Sequence, residues 1–295
     1  MPVLSSNGLQ IAYEVHGDSS GPTVLMVQGL SMPLTGWPPP LIDALVADGF
    51  RVITFDNRDI GQSALMDDMP VPNMLWQILR RMFRLRVKAP YHLEDMMLDV
   101  VGLMDALEIE SAHLVGVSMG GMISQLLAIH EPQRVKSLTS IMSTTNDRKL
   151  PGPTKALTRH YIRGPAARTD EAGLAFLWQT WRLLGSPRYP LSDEELSEFL
   201  RVVLTRGMTA AGAARQTLAI LAAPGRAAGL KRLRVHTLII HGEEDPLIPI
   251  ECGLATARAI PGSRMIAISG MGHDLPLALI PRISRQISQH LKACD

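Results

Sequence analysis

Residues 112–130 read Ala-His-Leu-Val-Gly-Val-Ser-Met-Gly-Gly-Met-Ile-Ser-Gln-Leu-Leu-Ala-Ile-His, and this stretch decides the fold. Ala112 to Val117 is a short, continuously apolar run of strand character, and an apolar helix follows the glycines. Between them Gly116-Val117-Ser118-Met119-Gly120 makes a sharp turn from strand to helix. The turn needs a strained residue at Ser118, and small neighbours at Gly116 and Gly120 let strand and helix approach closely enough to project the hydroxyl. The five-residue pattern alone is moderate evidence. The strand before it and the helix after it make it specific.

Working outward, short β-rich runs alternate with longer helical patterns, the mark of a parallel sheet with crossover helices on its faces. Strands are expected at Leu9 to Glu14, Thr23 to Gln28, Arg51 to Phe55, Ala112 to Val117, Val135 to Met142, Val235 to His241 and Arg264 to Ile268. Leu93, Met96, Met97, Val100, Val101 and Met104 form a helical stripe suited to lie on a sheet, and Ile280, Ile283, Ile287 and Leu291 form another. The class is therefore α/β, with a mostly parallel central sheet flanked by helices. The alternation stops between about Leu150 and Arg232, where the segments look purely helical. Ser192 and Glu195 have capping-box spacing before an apolar face of Leu196, Phe199, Leu200 and Val203, and a second helix is expected from Thr209 to Ala222. The expected division is a core of 1–145 and 231–295, with a helical cap at 146–230 inserted before the next strand.

A serine hydroxyl is a poor nucleophile at neutral pH, so a base must take its proton and a third group must hold that base in the right tautomer. Later strand ends are where such partners should lie. After Val235 to His241 comes Gly242-Glu243-Glu244-Asp245-Pro246, and after Arg264 to Ile268 comes Gly270-Met271-Gly272-His273-Asp274. On position, His273 is the base, whereas His241, ending an apolar strand beside a glycine, is expected to be structural. For the acid, Glu243, Glu244 and Asp274 compete with Asp245.

The segments QIAYEVHG, GVSMGG, HGEEDPLIP and GMGHDLP together resemble the α/β-hydrolase superfamily over nearly the whole chain. VLMVQGLSMPLTGWP and FDNRDIGQS look most like the branch containing aclacinomycin methylesterase and related bacterial carboxylesterases. The resemblance implies an α/β-hydrolase fold, a Ser118 nucleophile, a His273 base and an Asp245 orienter, with substrate bound between sheet and cap. Pro246 after the acid matches it. An oxyanion hole should then use the backbone N–H of Met119 and one from the loop after Thr23 to Gln28, for which Leu30 is the candidate. Most relatives carry His-Gly in that loop where this sequence has Gln28-Gly29, and a backbone donor tolerates such a change. The implied activity is carboxylic ester hydrolysis, with no cofactor or metal. Lactone hydrolysis, carbon–carbon bond hydrolysis and cofactor-free perhydrolysis use the same triad, and a non-catalytic binding protein on this fold is the rival class.

Other residues have plainer readings. Asp56 and Arg58 match a structural turn of the family tied by an ion pair. Trp37, Met32, Trp178, Trp181 and Met271 suit an apolar pocket or plain core equally. From Met74 to Lys88, between Pro72 and Pro90, the chain carries five cations and no acid. An extra cap helix with solvated arginines is expected there. The alternative is a basic amphipathic surface, with Trp76 and Phe83, for a membrane or an acidic partner.

Composition bounds the rest. Of 295 residues 46% are hydrophobic, ample for a large core, and 29 Lys and Arg against 28 Asp and Glu leave no global field to attract nucleic acid or an anionic membrane. Two cysteines, Cys252 and Cys294, make no disulfide framework, and no CxxC or HExxH spacing offers a metal site. The opening MPVLSSNGLQ lacks a basic start and an apolar stretch, and no 18-residue apolar run follows. The expected setting is the cytoplasm. The expected partner is a small-molecule ester, without nucleic acid or stable membrane association, and a homodimer is compatible with the sequence.

Overall fold

Asn7 and Gly8 take positive φ, 49° and 77°, and join β1 (Val3–Ser6) to β2 (Leu9–His16) as a tight antiparallel hairpin at one edge of the sheet. The computed structural model describes residues 2–166 and 169–295. After β2 come β3 (Thr23–Val27), α1 (Pro39–Ala47), β4 (Arg51–Phe55), α2 (Met74–Met82), α3 (Leu93–Ala106), β5 (Ala112–Val117), α4 (Met119–His130) and β6 (Val135–Ile141). Five helices then run without a strand: α5 (Lys155–Arg163), α6 (Asp170–Leu184), α7 (Asp193–Arg206), α8 (Ala210–Ala222) and α9 (Ala227–Leu230). The sheet resumes with β7 (His236–Gly242), α10 (Ile250–Ala259), β8 (Arg264–Ile268) and α11 (Ile280–Lys292). The eight strands lie in the order β1-β2-β4-β3-β5-β6-β7-β8, parallel from β4 to β8 and antiparallel only where β2 meets β1 and β4. This is the α/β architecture expected, with one strand, β1, beyond those the sequence suggested.

Alternation along each strand divides the core into two layers. Leu25, Val27, Ile53, Leu114 and Leu138 face α3, α4 and α10, where the expected stripe of Leu93, Met96, Met97, Val100 and Met104 is buried. Val24, Met26, Val52, Val115 and Ile240 face α1 and α11, where Ile280, Ile283, Ile287 and Leu291 are buried. Burial of these side chains, about 1.5–3 kcal/mol each relative to exposure, is what holds the strands in register. Trp37 and Met271 belong to the second layer as plain core.

Buried ion pairs fasten the helical insertion to the turn after β4. Arg206 of α7 grips Asp56 at 2.8 Å, and Arg215 of α8 grips Asp59 at 2.7 Å, whose other oxygen accepts from the Tyr91 hydroxyl. Burial pushes the Asp59 carboxyl up, but hydrogen bonds from Arg215, Met66 and Tyr91 outweigh it and hold the group below the usual carboxylate range. Asp56 and Arg58 are thus each ion-paired but not to one another, since Arg58 takes Asp99 at 2.6 Å. Both partners lie far along the chain, beyond what local spacing reveals.

The segment from Met74 to Lys88 is indeed helical through Met82 and packs on α8, but its arginines are not all solvated. Arg80 and Arg81 are part-buried, and Arg81 donates to the Leu221 carbonyl and to Asn146. Gln77, the one buried residue of α2, accepts from the Lys88 N–H. The polar side turns inward because the Arg81 guanidinium finds acceptors there and the Gln77 side-chain oxygen finds a backbone donor.

Burial also sets a pH dependence. Desolvation holds the imidazoles of His113 and His241 below the ordinary histidine value and takes His290 down to about 4. These groups stay neutral in the fold, so as pH falls through 6.5 the unfolded chain binds protons first and stability is lost, down to about 4 for His290. The expected result is a melting temperature that declines between those two values, by at most about 1.4 kcal/mol of stability per pH unit and group, with a smaller decline in His290→Gln. A flat melting temperature across that window would contradict it. Among the described residues no helix is long and apolar enough to cross a membrane.

Candidate active site

Ser118 sits at the junction of β5 and α4 with φ 54° and ψ −116°, a conformation costing a non-glycine residue about 1–3 kcal/mol. The surroundings impose it. The Ser118 N–H donates to the Ile141 carbonyl, and its own carbonyl accepts from the Ser143 hydroxyl. A Cβ at Gly120 would stand 1.9 Å from the Val27 carbonyl oxygen, and one at Gly116 would stand 2.4 Å from that of Gly120. No side chain fits at either position, so strand and helix close up only with glycine there.

The three strand-end loops bring Ser118, Asp245 and His273 together. His273 Nδ1 lies 2.7 Å from Asp245 Oδ2, and Nε2 lies 3.1 Å from Ser118 Oγ. With Nδ1–H donating to the carboxylate, the Nε2 lone pair accepts the serine hydroxyl. All three residues are buried. Asp245 is fixed by its second oxygen, which accepts from the backbone N–H of Leu247 and Ile248 at 2.9 and 2.8 Å. A short aspartate side chain reaches both its own turn and the imidazole.

The rival carboxylates lie elsewhere. Glu243 is exposed, Glu244 accepts from the Gly270 N–H, and Asp274 accepts from the Ser186 hydroxyl. Burial pushes the Asp274 carboxyl above its usual range, against the pull of those Ser186 hydrogen bonds. His241, fully buried, donates through Nε2 to the Ile248 carbonyl behind the acid loop.

Gly29 runs against the serine, since a Cβ there would lie 3.3 Å from Ser118 Cβ. In that loop Gly29, Ser31 and Met32 donate their amides to Gln28 Oε1, Gln216 Oε1 and the Gly29 carbonyl respectively. The Leu30 amide lies among these engaged neighbours without a hydrogen bond of that kind, and the Met119 amide is the first of α4, where the helix dipole favours negative charge. Of the two sequence candidates for the oxyanion donors, Met119 follows Ser118 in the chain, and Leu30 follows Gly29, the residue that runs against the serine. The Gln28 side chain caps the Gly29 amide.

Two side chains that the sequence did not single out brace these loops from the helical insertion. Gln216, fully buried on α8, holds the Ser31 amide at 2.8 Å and the Arg58 carbonyl at 2.7 Å. Ser186, after α6, receives the Gly272 N–H at 2.8 Å and donates to Asp274, while the His273 N–H donates to the Leu184 carbonyl. Their partners lie tens to hundreds of residues away, with no local signal.

Beside the histidine loop lies a cavity of about 340 Å³ lined by Trp181, Leu191, Leu196, Pro246 and Asp274 among others. Trp181 meets Phe199 edge to face, and Trp178 lies under the Arg182 guanidinium. Met32 is part-buried in the loop after β3. Among the described residues no group of three or more His, Cys, Asp or Glu side chains is placed to hold a metal ion.

Comparison with known proteins shows the family. Residues 22–277 match the family model described as alpha/beta hydrolase fold. Rhodomycin D methylesterase DnrP of Streptomyces peucetius is 29% identical, over 99% of this chain and 98% of its own. The 3-oxoadipate enol-lactonase 1 of Acinetobacter baylyi is 24% identical over 85% of this chain and 82% of its own. Among solved structures, the meta-cleavage product hydrolase of Pseudomonas fluorescens IP01 superposes with a TM-score of 0.77 at 21% identity, covering 100% of this chain and 98% of that one, a likeness of fold.

Proposed function

This chain belongs to the α/β-hydrolase fold family and is a carboxylic ester hydrolase, and from that premise we propose that it cleaves its ester through an acyl-enzyme on Ser118. The observation that carries the reading is the hydrogen-bond chain from Asp245 through His273 to Ser118, 2.7 and 3.1 Å long, ending on a strained serine. His273 Nε2 takes the hydroxyl proton as Ser118 Oγ attacks the ester carbonyl carbon, and Asp245 stabilises the imidazolium that forms. The carbonyl oxygen becomes an oxyanion facing the Met119 and Leu30 amides, each such donor being worth about 2.7–4 kcal/mol in the transition state. Collapse expels the alkoxide, which takes the proton from His273. Water, deprotonated by the same nitrogen, then attacks the acyl-enzyme, and collapse breaks the bond to Ser118 Oγ, which takes the proton back from His273 as the acid leaves.

The helical insertion, 146–230, is read as a cap over a core of 1–145 and 231–295, with the substrate between them. Its braces on the Ser31 and Gly272 amides support that reading. Two unpaired cysteines suit a reducing compartment, and the cytoplasm is the proposed setting.

Methyl esters of carboxylic acids are the first substrates to try, because a full-length relative carries the name methylesterase. Acid release from a panel of such esters, simple aryl esters, lactones and vinylogous carbon–carbon substrates tests the proposal. Turnover concentrated on the open-chain esters is expected. Turnover of a lactone or carbon–carbon substrate with every ester inert would overturn it.

A further inference from the structure

Helix α2 turns outward the side that its composition would bury. Trp76 is 61% exposed, Met82 and Phe83 are each 72% exposed, and Leu75, Ile78 and Leu85 are exposed beside them. Isolated apolar residues on a surface are ordinary, but six large ones within eleven positions make a patch that calls for an occupant. The charge around the patch is one-sided. From Met69 to Leu93 the chain has no acidic residue, while Arg80, Arg81, Arg84, Arg86 and Lys88 supply five cations. The whole chain carries only +1, so the remainder totals −4 and the positive charge is concentrated here. Arg84, Arg86 and Lys88 are exposed with the apolar side chains.

We propose that residues 74–88 form a docking surface for an anionic lipid bilayer, with Trp76, Met82, Phe83 and Leu85 entering the interface and Arg84, Arg86 and Lys88 meeting the headgroups. A second copy of this chain is a poor occupant, because a two-fold pairing of this face would bring the exposed Arg84, Arg86 and Lys88 of both copies together without one acid from the segment. A bilayer supplies the opposite charge and needs no shape complementarity, which suits a helix that buries only Gln77. The association is peripheral and reversible, since α2 is nine residues long and no described helix can cross a membrane. It takes up the alternative reading of the basic segment and departs from the expectation of no stable membrane association, which rested on the near-neutral total and on an extra cap helix with solvated arginines. The inference does not depend on the role given to Ser118.

The test is flotation of the full chain with vesicles of phosphatidylcholine, alone or with about one-third phosphatidylglycerol. Binding to the anionic vesicles only is expected, weakened at about 1 M salt, where the screening length falls to about 3 Å. Trp76→Ser with Phe83→Ser, and separately Arg84→Gln with Arg86→Gln and Lys88→Gln, should each lower binding at least about tenfold. Both variants should keep wild-type turnover of a water-soluble ester, which separates failure of this surface from failure of the catalytic reading. A blue shift of tryptophan fluorescence on anionic vesicles, absent in Trp76→Ser, is the second readout. No binding by the wild type, or binding that survives both multiple variants, would overturn the proposal. So would a wild-type oligomer dissolved by the Trp76 and Phe83 changes without any vesicle binding, which would mark the face as a contact between copies.

Discussion

Ser118→Ala is expected to lower ester turnover by about 10⁴–10⁶-fold, with a residual rate still above that of water. The substitution removes only Oγ. The strained backbone at Ser118 is held by the Ile141 carbonyl, the Ser143 hydroxyl and the glycine packing around Gly120, none of which involves the side chain. The melting temperature should therefore stay the same or rise slightly, because a buried hydroxyl is deleted without breaking the turn. What survives is binding and the oxyanion donors, which is why the residual rate is not zero. Measurement of kcat on the best ester from the panel, with thermal unfolding alongside, checks both halves. Near-wild-type turnover by a folded variant would remove Ser118 from the chemistry.

Asp245→Asn should cost at least about a hundredfold in kcat, and the direction follows from the hydrogen bonds the carboxylate makes. One oxygen of Asp245 is claimed by the N–H groups of Leu247 and Ile248, so an amide in its place must turn its own oxygen to that side. Its NH₂ then faces His273 Nδ1 and donates to it. The imidazole proton moves to Nε2, and the nitrogen facing Ser118 loses the lone pair needed to accept the hydroxyl proton. Glu243→Gln, Glu244→Gln and Asp274→Asn should each cost under about tenfold, since Glu243 is exposed, Glu244 bonds the Gly270 amide and Asp274 bonds Ser186. Comparison of kcat across the four variants, with folding checked by circular dichroism, discriminates among them. A sensitive Glu244 or Asp274 beside an active Asp245→Asn would move the acid without disturbing the fold.

What was legible in the sequence divides along a physical line. Features written in local spacing could be read: the β5 turn and helix, the stripe from Leu93 to Met104, and the capping box of Ser192 and Glu195, whose reciprocal hydrogen bonds are present. The loops carrying Asp245 and His273 could be found because each follows an apolar strand. Strand β1 was missed, although Asn7-Gly8 before an apolar run is a hairpin signal. Its four residues are too few to show alternation.

Features set by tertiary contact could not be read. Asp56 finds Arg206 across 150 residues, and Ser31 finds Gln216 across 185, so neither pairing leaves a spacing to recognise. The chain shows that α2 is amphipathic but not which side faces in. That depends on Asn146 and the Leu221 carbonyl accepting from Arg81, and on the Lys88 N–H meeting Gln77. An apolar face is therefore left to solvent where a helix of the core would bury it.

Peptide mapping of the protein after brief exposure to a fluorophosphonate probe tests the central claim most directly, because phosphonylation needs a serine whose proton is already being taken by a base. One adduct per chain is expected, on the peptide carrying Ser118, formed quickly in the wild type and slowly in Asp245→Asn. An adduct on another residue, or an unlabelled Ser118 in protein that still turns over ester, would contradict the account.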